Sequence, residues 1–140
     1  MIDPRTAPYA AFALRAALGV MFIAHGLLKY YVYTLPGTVE FFQSLGLPAV
    51  LAYATFWAEL IGGALILVGV YSRWVALALV PILVGATWAH AGNGWVFSAP
   101  NGGWEYPVFL TIAAGVLALL GDGKYALSSL FGRVPVARTA

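Results

Sequence analysis

The stretch AVLAYATFWAELIGGALILVGVY, residues 49–71, decides the fold. It matches the roughly 20 residues that a helix needs to cross a bilayer, and its one charged side chain is Glu59. Its apolar residues run on without the alternation of a barrel strand, so a helix is the reading. Three more runs of this kind lie at about 7–33, 74–91 and 106–120. The expected fold class is therefore all-α: an integral membrane four-helix bundle, with residues 1–140 forming one membrane domain.

Composition points the same way. Hydrophobic residues make up 62% of the 140 and charged residues only 9%, against roughly 25% charged in a soluble domain. So few charges cannot cover a water-facing surface. The net charge of +2, with no basic stripe, argues against a nucleic-acid partner. The absence of cysteine excludes disulfides and thiol chemistry carried by this chain. A cleavable signal would have an apolar region of only roughly 7–15 residues, and Arg15 interrupts the first run, so that run is expected to remain as a membrane helix.

Turn residues separate the runs. Leu35-Pro36-Gly37 reads as closing the first helix, and Gly46-Leu47-Pro48 precedes the second. Pro107 suits a first helical turn, Pro81 interrupts the third helix, and Gly121-Asp122-Gly123 ends the fourth. Thr38 to Leu45 reads as a short interfacial helix capped by Thr38, with Phe41, Phe42 and Leu45 against the membrane. Arg5, Arg73, Lys124, Arg133 and Arg138 would share one side of a four-span protein, which predicts cytoplasmic termini. Tyr30, Tyr31, Tyr33, Trp95 and Trp104 then mark the outer interface and Trp74 the inner one.

Within this apolar chain Arg15, His25, Lys29, Glu59, His90 and Glu105 need an explanation, because ionisable residues in a membrane usually face an interior or a cavity. Counting about 1.5 Å per residue from the run ends puts His25, Lys29, His90 and Glu105 near the outer rim. Glu59 falls near mid-membrane and Arg15 about one turn lower, which makes an Arg15–Glu59 ion pair the structural expectation. His25 and Lys29, four apart, share a helical face. The polar groups are expected to converge on an outward-facing cavity, roofed by the glycine-rich loop Gly92–Gly103. Gly62, Gly63 and Gly69 read as helix-packing surfaces.

Several motifs taken together resemble the DoxX family (DoxX/DoxD-like) of small four-helix bacterial membrane proteins. They are Leu14-Arg15 with Gly19, His25-Gly26-Leu27-Leu28-Lys29, Phe42-Gln43-Ser44-Leu45-Gly46-Leu47-Pro48 and Ala58-Glu59-Leu60-Ile61-Gly62-Gly63. Gly69 with Arg73, His90, Gly102-Gly103-Trp104-Glu105-Tyr106-Pro107 and Gly121-Asp122-Gly123-Lys124-Tyr125 complete the match, from about Leu14 to Leu127. The resemblance implies a multi-pass protein of the bacterial inner membrane, related to subunits of quinone-linked oxidoreductases. It implies a quinone or quinol as cofactor and a protein partner that supplies electrons.

On that basis His25, Glu59 and His90 are the expected catalytic residues, positioning a ring and managing its protons. Arg15, Lys29, Trp104 and Glu105 are the expected ligand-binding residues, although Trp104 also suits an interface anchor and Lys29 can snorkel to headgroups. No metal site is expected, since the two histidines and a carboxylate lack tight ligand spacing. No haem, flavin or iron–sulfur motif is present, so the chain would be an incomplete oxidoreductase by itself. The alternatives are a non-catalytic membrane scaffold whose polar cluster is structural, and a solute or proton pathway. The second would need a homo-oligomer, which the small-residue faces make feasible.

Overall fold

A computed structural model describes residues 3–131. Its helices are α1 (Ala7–Tyr31), α2 (Leu35–Ser44), α3 (Ala49–Val68), α4 (Ser72–His90), α5 (Glu105–Leu120) and the single turn α6 (Ser128–Phe131), and no strand occurs among these residues. Arg133 and Arg138, two of the charges behind the expected orientation, lie outside the described residues.

The long helices follow the apolar runs, with ends trimmed where the backbone has a reason to stop. α3 ends at Val68 because Gly69 takes φ +76°, a left-handed conformation that favours glycine. There Gly69 N–H donates to the Ile66 carbonyl and Val70 N–H to that of Leu65, closing the helix as a Schellman cap. The interfacial helix begins earlier than expected. Leu35-Pro36-Gly37 forms the first turn of α2 instead of closing α1, a place where the missing proline N–H breaks no bond. Its cap is Thr34, whose hydroxyl accepts from Gly37 N–H at 3.3 Å. Thr38, the expected cap, is buried within the helix and donates to the Thr34 carbonyl at 2.9 Å.

α1 packs chiefly on α3 and α4 on α5; α3 also meets α4, and α1 meets α5. Leu18, Phe22, Ile66, Leu79, Leu83, Leu110 and Leu117 form the centre where these four helices converge. The α1–α3 contact is close because glycines line it. A methyl group on Gly19 would stand 2.8 Å from the backbone of Leu67, and one on Gly63 would stand 2.9 Å from the nitrogen of Ile23. Gly26 abuts Leu60 in the same way. These contacts fix the antiparallel register of α1 against α3, and with it the position of every polar side chain on the two helices.

The outward faces are apolar. Trp57, Ile61, Leu77, Val84, Trp88, Phe109, Ile112 and Leu119 are all exposed on the isolated chain. Among the described residues three helical stretches, Ala7–Tyr31, Ala49–Val68 and Ser72–Asn93, are long and apolar enough to cross a membrane, and the apolar helix Glu105–Leu120 is shorter. An all-helical membrane protein whose outer faces contact lipid accounts for this surface.

Candidate functional site

Lys29, in the last turn of α1, reaches Glu59 at the middle of α3. Its Nζ lies 2.6 Å from Glu59 Oε2, and the side chains are only 17% and 7% exposed. Two charges so far from water are held by each other, and removing either would strand its partner. This corrects the expected Arg15–Glu59 pair. The glycine seam sets Glu59 level with Lys29, whereas counting from the ends of the apolar runs had placed it deeper. Arg15 is left about 21 Å away along the axis of α1.

His25, one turn below Lys29, is tied to its own helix: Nδ1 lies 2.7 Å from the Met21 carbonyl. A carbonyl only accepts, so Nδ1 carries the proton of the neutral ring and Nε2 keeps its lone pair. The ring stacks on Tyr106 of α5, with centroids 5.8 Å apart and planes 22° from parallel. The Tyr106 ring packs against the core, and its hydroxyl is buried with no hydrogen-bond partner among the described residues.

His90 and Glu105 are both bonded to the backbone of the loop between α4 and α5. His90 Nδ1 contacts the carbonyls of Asn101 at 3.0 Å and Gly102 at 3.1 Å, and Asn93 Nδ2 donates to the same two. Glu105 accepts from Phe97 N–H at 2.8 Å, while its own N–H donates to Trp95 at 3.0 Å. Both residues thus hold the loop between α4 and α5, where Trp104 packs edge-on against Trp95 at 4.5 Å. Each half of the chain has a histidine late on one long helix and a glutamate on the next long helix, and in the first half that glutamate, Glu59, is in a buried ion pair.

The loop and α5 enclose an open hollow of about 430 Å³ lined by Trp95, Phe97, Glu105, Tyr106, Val108, Phe109 and Ile112. Neither histidine lines it, nor do Lys29 and Glu59. Of the expected site residues, Glu105 borders this hollow. The polar residues form two groups, Lys29–Glu59–His25 and His90–Glu105 with the loop, and Tyr106 touches both the His25 ring and the hollow. Among the described residues no three His, Asp or Glu side chains gather closely enough to hold a metal ion.

Arg15, 1% exposed, lies at the opposite end of α1. Its Nη1 donates to the carbonyls of Ile66 at 3.0 Å and Leu67 at 2.5 Å, and its Nη2 to those of Lys124 at 3.2 Å and Tyr125 at 3.4 Å. A cation here complements the negative C-terminal end of α3. Beside it Asp122 accepts from the Ser72 backbone N–H at 2.8 Å, capping α4 from outside, and from the Ser128 hydroxyl at 2.6 Å. Burial opposes ionisation of Asp122, but the bonds from Ser128 and Ser72 and the charge of Arg15 prevail and hold its carboxyl below the usual range.

Tyr106 and Asp122 were not singled out by sequence reasoning, though both lie inside quoted motifs. The available signal was a polar group next to an expected site residue, Glu105, and an acid between two helix-breaking glycines. What each touches depends on segments distant in sequence.

The family model described as DoxX matches residues 10–92. A Bacillus subtilis (strain 168) protein named "Putative oxidoreductase CatD" is 41% identical over 73 residues, covering 52% of this chain and 53% of the relative. The chain thus aligns with about half the length of that relative. No solved structure matches it.

Proposed function

The chain belongs to the DoxX family, and we propose that it is a quinone- or quinol-binding membrane subunit of a redox system, with electrons supplied by a partner protein at the outer face. One four-span domain with both termini in the cytoplasm of a bacterial cell would put the Lys29 end of α1 outward. The observation that carries this reading is the buried Lys29–Glu59 pair with the unoccupied His25 Nε2 beside it. A relative named as an oxidoreductase gives it a chemical context.

Reduction of a quinone takes up two electrons and two protons, so a site for it needs groups that accept and release protons within lipid. Neutral His25 offers Nε2 as an acceptor for a hydroxyl. Glu59 is a carboxylate next to an ammonium that can be repositioned, which makes it a candidate to hold or pass a proton. Lys29 supplies a positive charge for an electron-rich ring oxygen. His90, Trp104 and Glu105 act on the site by arranging the loop above it, and Arg15 is too distant to touch a ligand.

The test uses the full chain purified into lipid nanodiscs. Lipid extraction should yield a quinone near equimolar with protein, and Glu59→Gln or His25→Ala should deplete it while the fold is kept. Repeated absence of quinone from the unaltered protein, with no uptake on titration of a short-tailed benzoquinone or naphthoquinone, would sink the reading.

A second reading is favoured by one observation: Lys29, Glu59, His25, His90 and Glu105 each have a partner within the chain. A scaffold protein would need no more than that. Under it, replacing the ion pair as Lys29→Met with Glu59→Met should leave the assembled redox activity intact. Loss of that activity from a well-folded double variant would speak for the quinone site.

A further inference from the structure

The buried hydroxyl of Tyr106 has no hydrogen-bond partner among the described residues, and it lies beside the proposed site. A hydroxyl out of water normally finds a partner, since leaving one unsatisfied is unfavourable by more than an ordinary hydrogen bond contributes. Of the buried side-chain atoms in the same condition, Arg15 Nε and Ser72 Oγ belong to the clasp at the opposite end of the molecule. Tyr106 alone among these three borders His25.

Its surroundings say what kind of partner is missing. One neighbour is an aromatic ring, His25, stacked at 5.8 Å, and Tyr106 also forms part of the wall of the apolar hollow under the α4–α5 loop. That hollow is bounded by Trp95, Phe97 and Phe109, aromatic surfaces suited to a flat ring, and it opens where α5 shows Phe109 and Ile112 to lipid. One helical turn along α1 from His25 is Lys29, paired with Glu59. Tyr106 is therefore the residue common to a lipid-facing aromatic hollow and the buried polar group.

We propose that Tyr106 is a ligand-binding and specificity-determining residue: its hydroxyl donates the hydrogen bond that a ring carbonyl oxygen of a quinone accepts as the ring moves in from the hollow beside α5. This rests on the quinone reading and adds to it a route of entry and a selecting group. A site built to hydrogen-bond one oxygen discriminates against rings that lack it, because the hydroxyl is then left buried and unpaired.

The experiment compares Tyr106→Phe with the unaltered full chain in nanodiscs, reading quinone affinity and thermal stability side by side. Phenylalanine keeps the stack on His25 and removes only the oxygen. The ligand-free variant should melt at or slightly above the unaltered protein, since an unpartnered hydroxyl has gone. Its affinity for a short-tailed benzoquinone should fall about five-fold, while affinity for the same ring without carbonyl oxygens stays unchanged. Unchanged quinone affinity in Tyr106→Phe, with Glu59→Gln or His25→Ala still weakening it, would overturn the role of Tyr106 and leave the site standing. A lower melting temperature in the ligand-free variant would also overturn it, by showing that the hydroxyl already has a partner within the protein. Failure of the unaltered chain to bind quinone at all would remove both readings together.

Discussion

Two cations on one helix are handled in opposite ways. Arg15 is neutralised largely by backbone dipoles: four carbonyls from α3 and the segment after α5 surround it, with Asp122 near by. Lys29 is neutralised by one carboxylate, that of Glu59, across the α1–α3 seam. The first arrangement spreads its charge over four backbone carbonyls, reached through the two terminal nitrogens of the guanidinium, Nη1 and Nη2. The second rests on a single contact between two side chains. The difference separates a charge held by backbone from a charge held by one side chain within a single pair of helices.

The most damaging test of this contrast is Arg15→Ala, which should lower stability by about 3 kcal/mol or more, because several buried carbonyls lose their donor. Thermal unfolding in detergent or nanodiscs reads it. A variant as stable as the parent would mean that the carbonyls find other partners, and the two ends would no longer differ. Glu59→Gln comes next, with a loss of about 1–2 kcal/mol, softened because the long Lys29 side chain can move toward the interface. The double change Lys29→Met with Glu59→Met should recover to within about 1 kcal/mol of the parent, as apolar replacements of buried ion pairs commonly do. No such rescue is available to Arg15, so a failed rescue at Lys29–Glu59 would make the two ends alike.

The smallest effect concerns Asp122. Its folded-state carboxyl titrates below the ordinary value, so the stability it contributes is present above about pH 4 and is lost as the pH falls further. Asp122→Asn should flatten that acid limb and cost less than about 1 kcal/mol near neutrality, since the group is partly exposed. An unaltered acid limb, followed by thermal melting between about pH 3 and pH 7, would separate Asp122 from the Arg15 clasp.

Helices were legible from the sequence because a bilayer leaves the backbone no alternative over long apolar runs. Their partners were less so. The Lys29–Glu59 pair depends on how far α3 slides along α1, and that distance is set by Gly19, Gly26 and Gly63 meeting Leu67, Leu60 and Phe22. Counting residues from the ends of apolar runs carries no information about that meeting, so Arg15 was matched with Glu59. The targets of the loop residues His90 and Glu105 are backbone groups whose positions only a folded loop defines. Tyr106 went unremarked for a related reason: its stacking partner lies on α1, some eighty residues earlier.

The clasp around Arg15 also has an order in time. A ribosome releases α1 and α3 well before residues 122–128, whose carbonyls, carboxylate and N–H groups close the ends of α3 and α4. Until then the α3 carbonyls of Val68 and Gly69 lack Leu127 and Ser128, and the first N–H of α4 lacks Asp122. A segment synthesised after α5 is thus the latch for helices made before it, and a chain halted ahead of residue 122 would present open helix ends to the machinery that inspects new membrane proteins.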